Sequence, residues 1–298
     1  MFPYFLSLIL ALAVFAGPLT AQSTIIGALE DVPPLDSRSQ HHRAVRVLFE
    51  KKGNEWQAFP DCPDVQCLSA VTTKYPHEVV WTVSFDGKNL GKITGTTPKK
   101  FNYYADIGLQ EISSEVPIPV IGTRSRAFGG YTGAAIYRPL VTNSKPFVSD
   151  PDLWKRSNLP AGLSLRLRQE FRRHYGQLCR LGEDSASLKP LAYRNENIRI
   201  IQAYTSKTKW AIARLHLGGA IDCHDIEAGF EIDDGWFVID PQRNFRYLDD
   251  GLWLVDAGDY DNDGHSELVF AINRDNRGGY EVFYDDFKKR AIFEYSYH

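Results

Sequence analysis

Three things are missing from this 298-residue chain, and each absence narrows what it does. It has no excess of positive charge: 34 Lys and Arg face 37 Asp and Glu, a formal net charge of -3. That balance gives no general electrostatic hold on nucleic acid or another polyanion. It has no apolar run of about 20 residues, the length that spans a bilayer as a helix; the run from Tyr4 to Ala16 covers 13. It also lacks the nucleophile elbow G-x-S-x-G, the zincin pair H-E-x-x-H and the Walker phosphate loop. Phe128-Gly-Gly-Tyr-Thr-Gly133 is glycine-rich but fits no phosphate-binding pattern, so it reads as a connection. His77, His174, His216 and His224 stand singly, without metal-ligand spacing.

What is present is a globular composition, 43% hydrophobic and 13% aromatic, enough for one large domain or two small ones. Residues 1–21 are uncharged; their apolar run gives way to Gly17-Pro18 and then Leu19-Thr20-Ala21. This is the pattern of a secretory signal cleaved after Ala21, with an uncleaved N-terminal anchor as the alternative. After cleavage no integral membrane segment remains, and the product is expected outside the cytoplasm, secreted or periplasmic. The chain has only four cysteines, and an oxidising compartment favours their pairing. Cys62 and Cys67 flank a short loop and are expected to bridge it; the competing zinc reading of a C-x₄-C pair lacks a second close pair. Elimination then leaves Cys179 with Cys223.

Residues 22–42, with Pro33-Pro34 and scattered charges, read as a linker, and residues 43–298 as the folded domain. Ala44–Phe49 and Glu55–Phe59 flank a Lys-Gly-Asn turn, and Val79–Phe85 and Asn89–Thr94 flank Asp86-Gly87. Four strands in two hairpins of one antiparallel sheet follow from this. Ile107–Ile112 and Ala134–Val141 are weaker strands. Residues 160–180 predict the one helix, with Leu163, Leu167, Phe171, Tyr175 and Leu178 at helical spacing and Pro160 near its start. Its five Arg against one Glu, from Arg166 to Arg180, read as a solvated face.

From Ile198 onward the β pattern returns. Ile198–Tyr204 and Trp210–Leu217 are strands, and Glu227–Asp240 is a hairpin about Asp233-Asp234-Gly235. The last four strands, near 252–257, 267–272, 280–284 and 291–297, make one antiparallel unit of a propeller blade's size. The fold expected is therefore all-β: β-propeller-like antiparallel sheets with one inserted amphipathic helix, or alternatively two β domains.

Between the first two of those last strands lies Asp259-Tyr-Asp261-Asn-Asp263-Gly264-His-Ser-Glu267. Carboxylates stand at positions 1, 3, 5 and 9 and glycine at 6. Such crowding repels itself unless a cation intervenes, and Ca²⁺ takes six to eight oxygen ligands. An EF-hand requires Glu at position 12 between two helices; position 12 here is Phe270, within a strand pattern. Strand, loop and strand, as in Leu254–Val269, resembles the FG-GAP/VCBS-type repeat, the calcium-binding blade unit of integrin-like β-propellers, over about residues 252–297. The resemblance implies that Asp259, Asp261, Asp263 and Glu267 hold Ca²⁺ through their carboxylates and His265 through its backbone carbonyl. The chain contains one such loop.

The function expected is a calcium-stabilised binding or scaffold module outside the cytoplasm, without catalytic activity, whose partner is a protein or glycan and not nucleic acid. The alternative is a secreted carbohydrate-active hydrolase. From Asp222 to Glu267 there are fourteen Asp and Glu against two Arg. Asp249-Asp250, Asp233-Asp234 and Glu227 supply the paired carboxylates that glycoside hydrolysis needs.

Overall fold

The computed structural model describes residues 23–32, 42–62, 66–96, 106–112, 139–143, 148–182, 187–223, 234–274 and 276–296. Residues 1–21, with the expected signal, lie outside these, as do Glu227 and Asp233. Among the described residues no helix is long and apolar enough to cross a membrane.

Seven strands come first: β1 (Ile25–Val32), β2 (His42–Lys52), β3 (Glu55–Ala58), β4 (Val80–Phe85), β5 (Lys88–Thr94), β6 (Leu109–Glu111) and β7 (Leu140–Thr142), with α1 (Leu68–Thr72) after β3. Next come β8 (Lys155–Arg156), α2 (Ala161–Tyr175), β9 (Leu178–Leu181), β10 (Leu188–Pro190), β11 (Arg199–Thr205), β12 (Ala211–His216), β13 (Ile221–Asp222), β14 (Gly235–Ile239) and β15 (Phe245–Asp249). β16 (Leu252–Gly258), β17 (Glu267–Arg274), β18 (Arg277–Tyr284) and β19 (Lys289–Ser296) complete the chain. The described residues are mostly β, in four antiparallel sheets.

The N-terminal sheet runs β3-β2-β1-β7-β4-β5, with β6 on β2. Both expected hairpins are present, yet they are not neighbours, because β1 and β7 lie between them. β1 corrects the linker expected over residues 22–42. Ile26, Ala28 and Leu29 are buried, and the strand pairs with β2 and β7. Gly27 interrupts the apolar pattern for a steric reason, since a Cβ there would sit 2.7 Å from the Arg46 carbonyl. Asp86 and Gly87 both adopt positive φ, 53° and 66°, as a two-residue hairpin turn needs.

Helix α2 is shorter than residues 160–180. Gly176 takes φ 63° and donates its N–H to the Arg172 carbonyl at 3.0 Å, which ends the helix. Leu178, expected on the helix, is instead the first residue of β9. Arg172, Arg173 and His174 occupy the last turn, where positive charge suits the helix dipole. Leu167 and Phe171 carry the buried face onto the β11–β12–β14 sheet. Gly278 and Gly279 lie inside β18, which starts earlier than the strand expected near 280–284, and the Arg274–Arg277 pair closes the β17–β18 hairpin. Backbone proximity explains Gly279, where a Cβ would be 2.0 Å from the Phe293 carbonyl. The first strand of the expected Glu227–Asp240 hairpin lies outside the described residues; β14 pairs with β12 and β15.

The C-terminal sheet is a simple β16-β17-β18-β19 meander, buried on both faces along its first three strands. Alternation divides its side chains between two cores. Val255, Val269, Ala271, Tyr280 and Val282 join the core of the N-terminal sheet, which also holds Ile26, Val47 and Trp81. Leu254, Leu268, Phe270, Ile272 and Phe283 join the core of the β11–β15 region through Trp236 and Ile212. The last sheet in sequence is thus the middle layer in space. That places both ends of its strands, and the β16–β17 loop with them, beside two other sheets.

Candidate metal centre

The acidic loop connects β16 to β17 and is closed by the Gly258–Glu267 pair. The first strand ends on glycine because Val148 and Tyr260 press against that backbone; a Cβ would be 2.6 Å from Val148 Cγ1. Tyr260 is fully buried and pins the start of the loop to the core. Asn262 and Gly264 take positive φ, 67° and 90°. A Cβ on Gly264 meets nothing within 4 Å, so glycine is required there by backbone conformation and not by space.

These turns direct backbone N–H groups inward. Asp259 accepts from Asp263 N at 3.1 Å and Gly264 N at 3.2 Å; Asp261 also accepts from Asp263 N, at 3.1 Å. Glu267, on β17 and 3% exposed, accepts from Tyr260 N at 2.8 Å and from Trp56 Nε1 at 3.3 Å. The result brings together carboxylate oxygens of Asp259, Asp261 and Glu267, all within 4.8 Å of one another. Two oxygens bound to one Ca²⁺ at 2.3–2.6 Å lie no more than about 5 Å apart, so the spread suits one such ion. The donor set is all carboxylate, which favours a hard cation over zinc. Burial, with the Asp261 and Asp263 carboxylates, pushes the Glu267 carboxyl up to about 8, against its hydrogen bonds from Tyr260 and Trp56.

Of the five expected ligands, Asp259, Asp261 and Glu267 converge. Asp263 stands outside that trio, its Oδ1 accepting from His265 N at 2.8 Å, and Asp263 and His265 both line the adjoining cleft. Four contributors carry no local signal in the sequence. Lys51, from β2, places its ammonium on Asp261 and lies 5.1 Å and 5.2 Å from the Trp56 and Tyr284 ring centres. Trp56 comes from β3. Asp150 and Asp152 brace the far side, taking Ser266 Oγ–H at 2.7 Å and Ser266 N–H at 2.8 Å. The loop is therefore held by segments more than 100 residues away in sequence.

No family model, curated protein or solved structure matches the chain. The site must be read from its own chemistry.

Of the acids of the hydrolase alternative, Asp234, Asp249 and Asp250 are described, and each faces a cation. Asp249 is held by Arg274 at 2.7 Å and Arg290 at 3.2 Å, while Arg274 Nε stands 3.9 Å from Asp250. Asp234 is held by Arg214 at 2.8 Å and His216 at 2.5 Å. Burial and the neighbouring Asp249 raise the Asp250 carboxyl. Cys62 pairs with Cys67 and Cys179 with Cys223, with Cα atoms 5.8 Å and 5.1 Å apart, so no free thiol remains for zinc.

Proposed function

We propose that this protein is a calcium-stabilised binding or scaffold module that works outside the cytoplasm, without catalytic activity. The observation that carries the reading is the convergence of Asp259, Asp261 and Glu267 oxygens within 4.8 Å at the junction of two sheets. Ca²⁺ bound there cancels the mutual repulsion of the three carboxylates and replaces the proton on buried Glu267. It thereby joins the end of β16 to the start of β17, and Trp56 transmits the constraint to the N-terminal sheet. An ion used this way rigidifies the fold and does not switch it.

The blade reading draws support from the C-terminal meander, a four-stranded sheet packed face to face between two others. We take it as one FG-GAP/VCBS-type blade of a propeller-like assembly. Two disulfides support residence in an oxidising compartment. The test is thermal unfolding with calcium and with EDTA. A calcium-dependent rise in Tm that Asp261→Ala removes is expected; a rise that persists in the variant moves the ion elsewhere.

A further inference from the structure

The same end of the C-terminal sheet carries a groove that adjoins the metal site and shares Asp261 with it. Its wider half, about 580 Å³, is lined by Lys51, Asn54, Asp263, Asp285 and Lys289, among others. A second hollow of about 550 Å³ is lined by Trp210, Phe245, Asp240, Asn244 and Arg246. Both halves are of ligand-binding size. Between them lies a neck of only about 20 Å³: it shares Tyr284 and Asp285 with the first and Trp210 with the second, and Asp286 lines all three.

The neck is built at a conformational cost. Asp285, Asp286 and Phe287 adopt three successive left-handed conformations, φ 50°, 54° and 61°. Such strain persists only where surrounding structure imposes it. Here Phe287 is buried against Trp210 and Phe283, ring centres 5.5 Å and 6.0 Å away, and its carbonyl accepts from Arg246 Nη2 at 2.5 Å. The anchored turn holds the half-exposed carboxylates of Asp285 and Asp286 over the neck.

The lining selects a chemistry. The two halves together present five carboxylates (Asp240, Asp261, Asp263, Asp285, Asp286) and four cations (Lys51, Arg246, Lys288, Lys289). A polyanion meets the carboxylates and a polycation meets the cations, so either is penalised by like charge. A neutral ligand with many hydroxyls uses both signs, because each hydroxyl donates and accepts. Half-buried Trp210 adds aromatic surface for an apolar ring face, while the Phe245 ring lies under the Arg166 guanidinium, 4.8 Å from its centre. A pyranose chain has these two properties together: a C–H face and a belt of hydroxyls.

We infer that the groove binds a neutral oligosaccharide, with Trp210 as the stacking platform and Asp286 as a central hydroxyl acceptor. This deepens the binding-module reading and rests on it, but it does not require the ion. The probes are short malto-, cello-, laminari-, manno- and chito-oligosaccharides, titrated into the whole protein by calorimetry and tryptophan fluorescence, with calcium and with EDTA. At least one series is expected to bind. Asp286→Asn, which keeps a residue type that tolerates the left-handed conformation, is expected to weaken it roughly tenfold at unchanged Tm, the loss of one charge-assisted hydrogen bond. Trp210→Ala is expected to abolish it; should that variant unfold, Trp210→Leu replaces it. Absence of binding across the panel overturns the inference, and so does binding indifferent to both positions, or heparin or polylysine bound there in place of sugar. A calcium-dependent Tm rise with no sugar bound sinks the groove alone. Sugar binding without that rise sinks the metal reading alone.

Discussion

The Glu30 carboxylate on β1 accepts a hydrogen bond from Arg46 Nε on β2 at 2.9 Å, with Nη2 of the same guanidinium also 2.9 Å from that oxygen, and both side chains are buried. The pair does more than join neighbouring strands. The second oxygen of Glu30 accepts from Tyr280 Oη at 2.5 Å, and the guanidinium lies 4.3 Å from the centre of the Tyr295 ring. Tyr280 and Tyr295 belong to the C-terminal sheet, so one buried ion pair straps the first and last sheets together. Burial opposes the charge on Arg46, yet Glu30, Tyr295 and Tyr280 together hold its pKa above the ordinary arginine value.

Removing one partner strands the other charge in the core. Arg46→Met is therefore expected to destabilise the protein by about 3–5 kcal/mol, and the double change Arg46→Met with Glu30→Leu by distinctly less. Urea unfolding of the three proteins measures this. Equal loss in the single and double variants contradicts the account.

Glu281, on β18, supplies a pH dependence of definite sign. It is fully buried; Arg290 donates to Oε1 at 3.0 Å, and Oε2 has no hydrogen-bond partner among the described residues. Burial, with Asp249 adding, pushes its carboxyl from 4.5 up to about 7, against Arg290 and Arg274. Between those two values the folded protein keeps a proton that the unfolded chain has released. Stability then falls as pH rises through that window, by on the order of 3 kcal/mol. Glu281→Gln stays neutral and removes this contribution. The variant should match wild type near the lower pKa and exceed it by a similar amount above the upper one, as read by urea unfolding at both ends. A constant difference across the window contradicts the assignment.

Local chemistry was readable and distant chemistry was not. Asp86-Gly87 announces the β4–β5 hairpin, and the unbroken apolar run Leu268–Ile272 announces a buried strand, because both act through near neighbours. β1 was hidden because Gly27, chosen for close backbone approach, breaks its pattern, and Pro33-Pro34 lends its surroundings a linker's composition. Sheet order is equally silent: nothing in β2 or β4 states that β1 and β7 lie between them. The candidate metal centre divides the same way. Asp259, Asp261 and Glu267 share one loop and could be named. Lys51 and Trp56 meet that loop across 210 and 211 residues, through sheet packing that no motif encodes.

The two disulfides should contribute unequally. Cys62–Cys67 spans a separation of 5 residues and Cys179–Cys223 one of 44. Loop-closure entropy in the unfolded chain grows with loop size, giving about 2 kcal/mol for the first and about 4 for the second. The longer bridge also ties β9 to the end of β13, in a sheet of three short strands with little core of its own. Replacing Cys179 and Cys223 by Ala should therefore lower stability more than replacing Cys62 and Cys67. Denaturant unfolding of the two double variants ranks them, and the reverse order contradicts the loop-size account.

Lys51 makes the sharpest prediction about calcium. Its ammonium rests on Asp261, so the protein already has a tethered cation at one of the three clustered carboxylates. A divalent ion and this ammonium compete for the same oxygen charge and repel each other; unit charges about 4 Å apart interact by about 4 kcal/mol at an effective dielectric of 20. Lys51→Met keeps the apolar stem against Trp56 and Tyr284 and removes only the charge. Without calcium the variant should be less stable than wild type, because the carboxylates lose their counter-charge. With calcium it should show the larger Tm rise and half-saturate at about tenfold lower concentration, since binding to the native state stabilises by mass action. If Lys51→Met instead weakens calcium binding, the lysine orders the loop for the ion and does not compete with it.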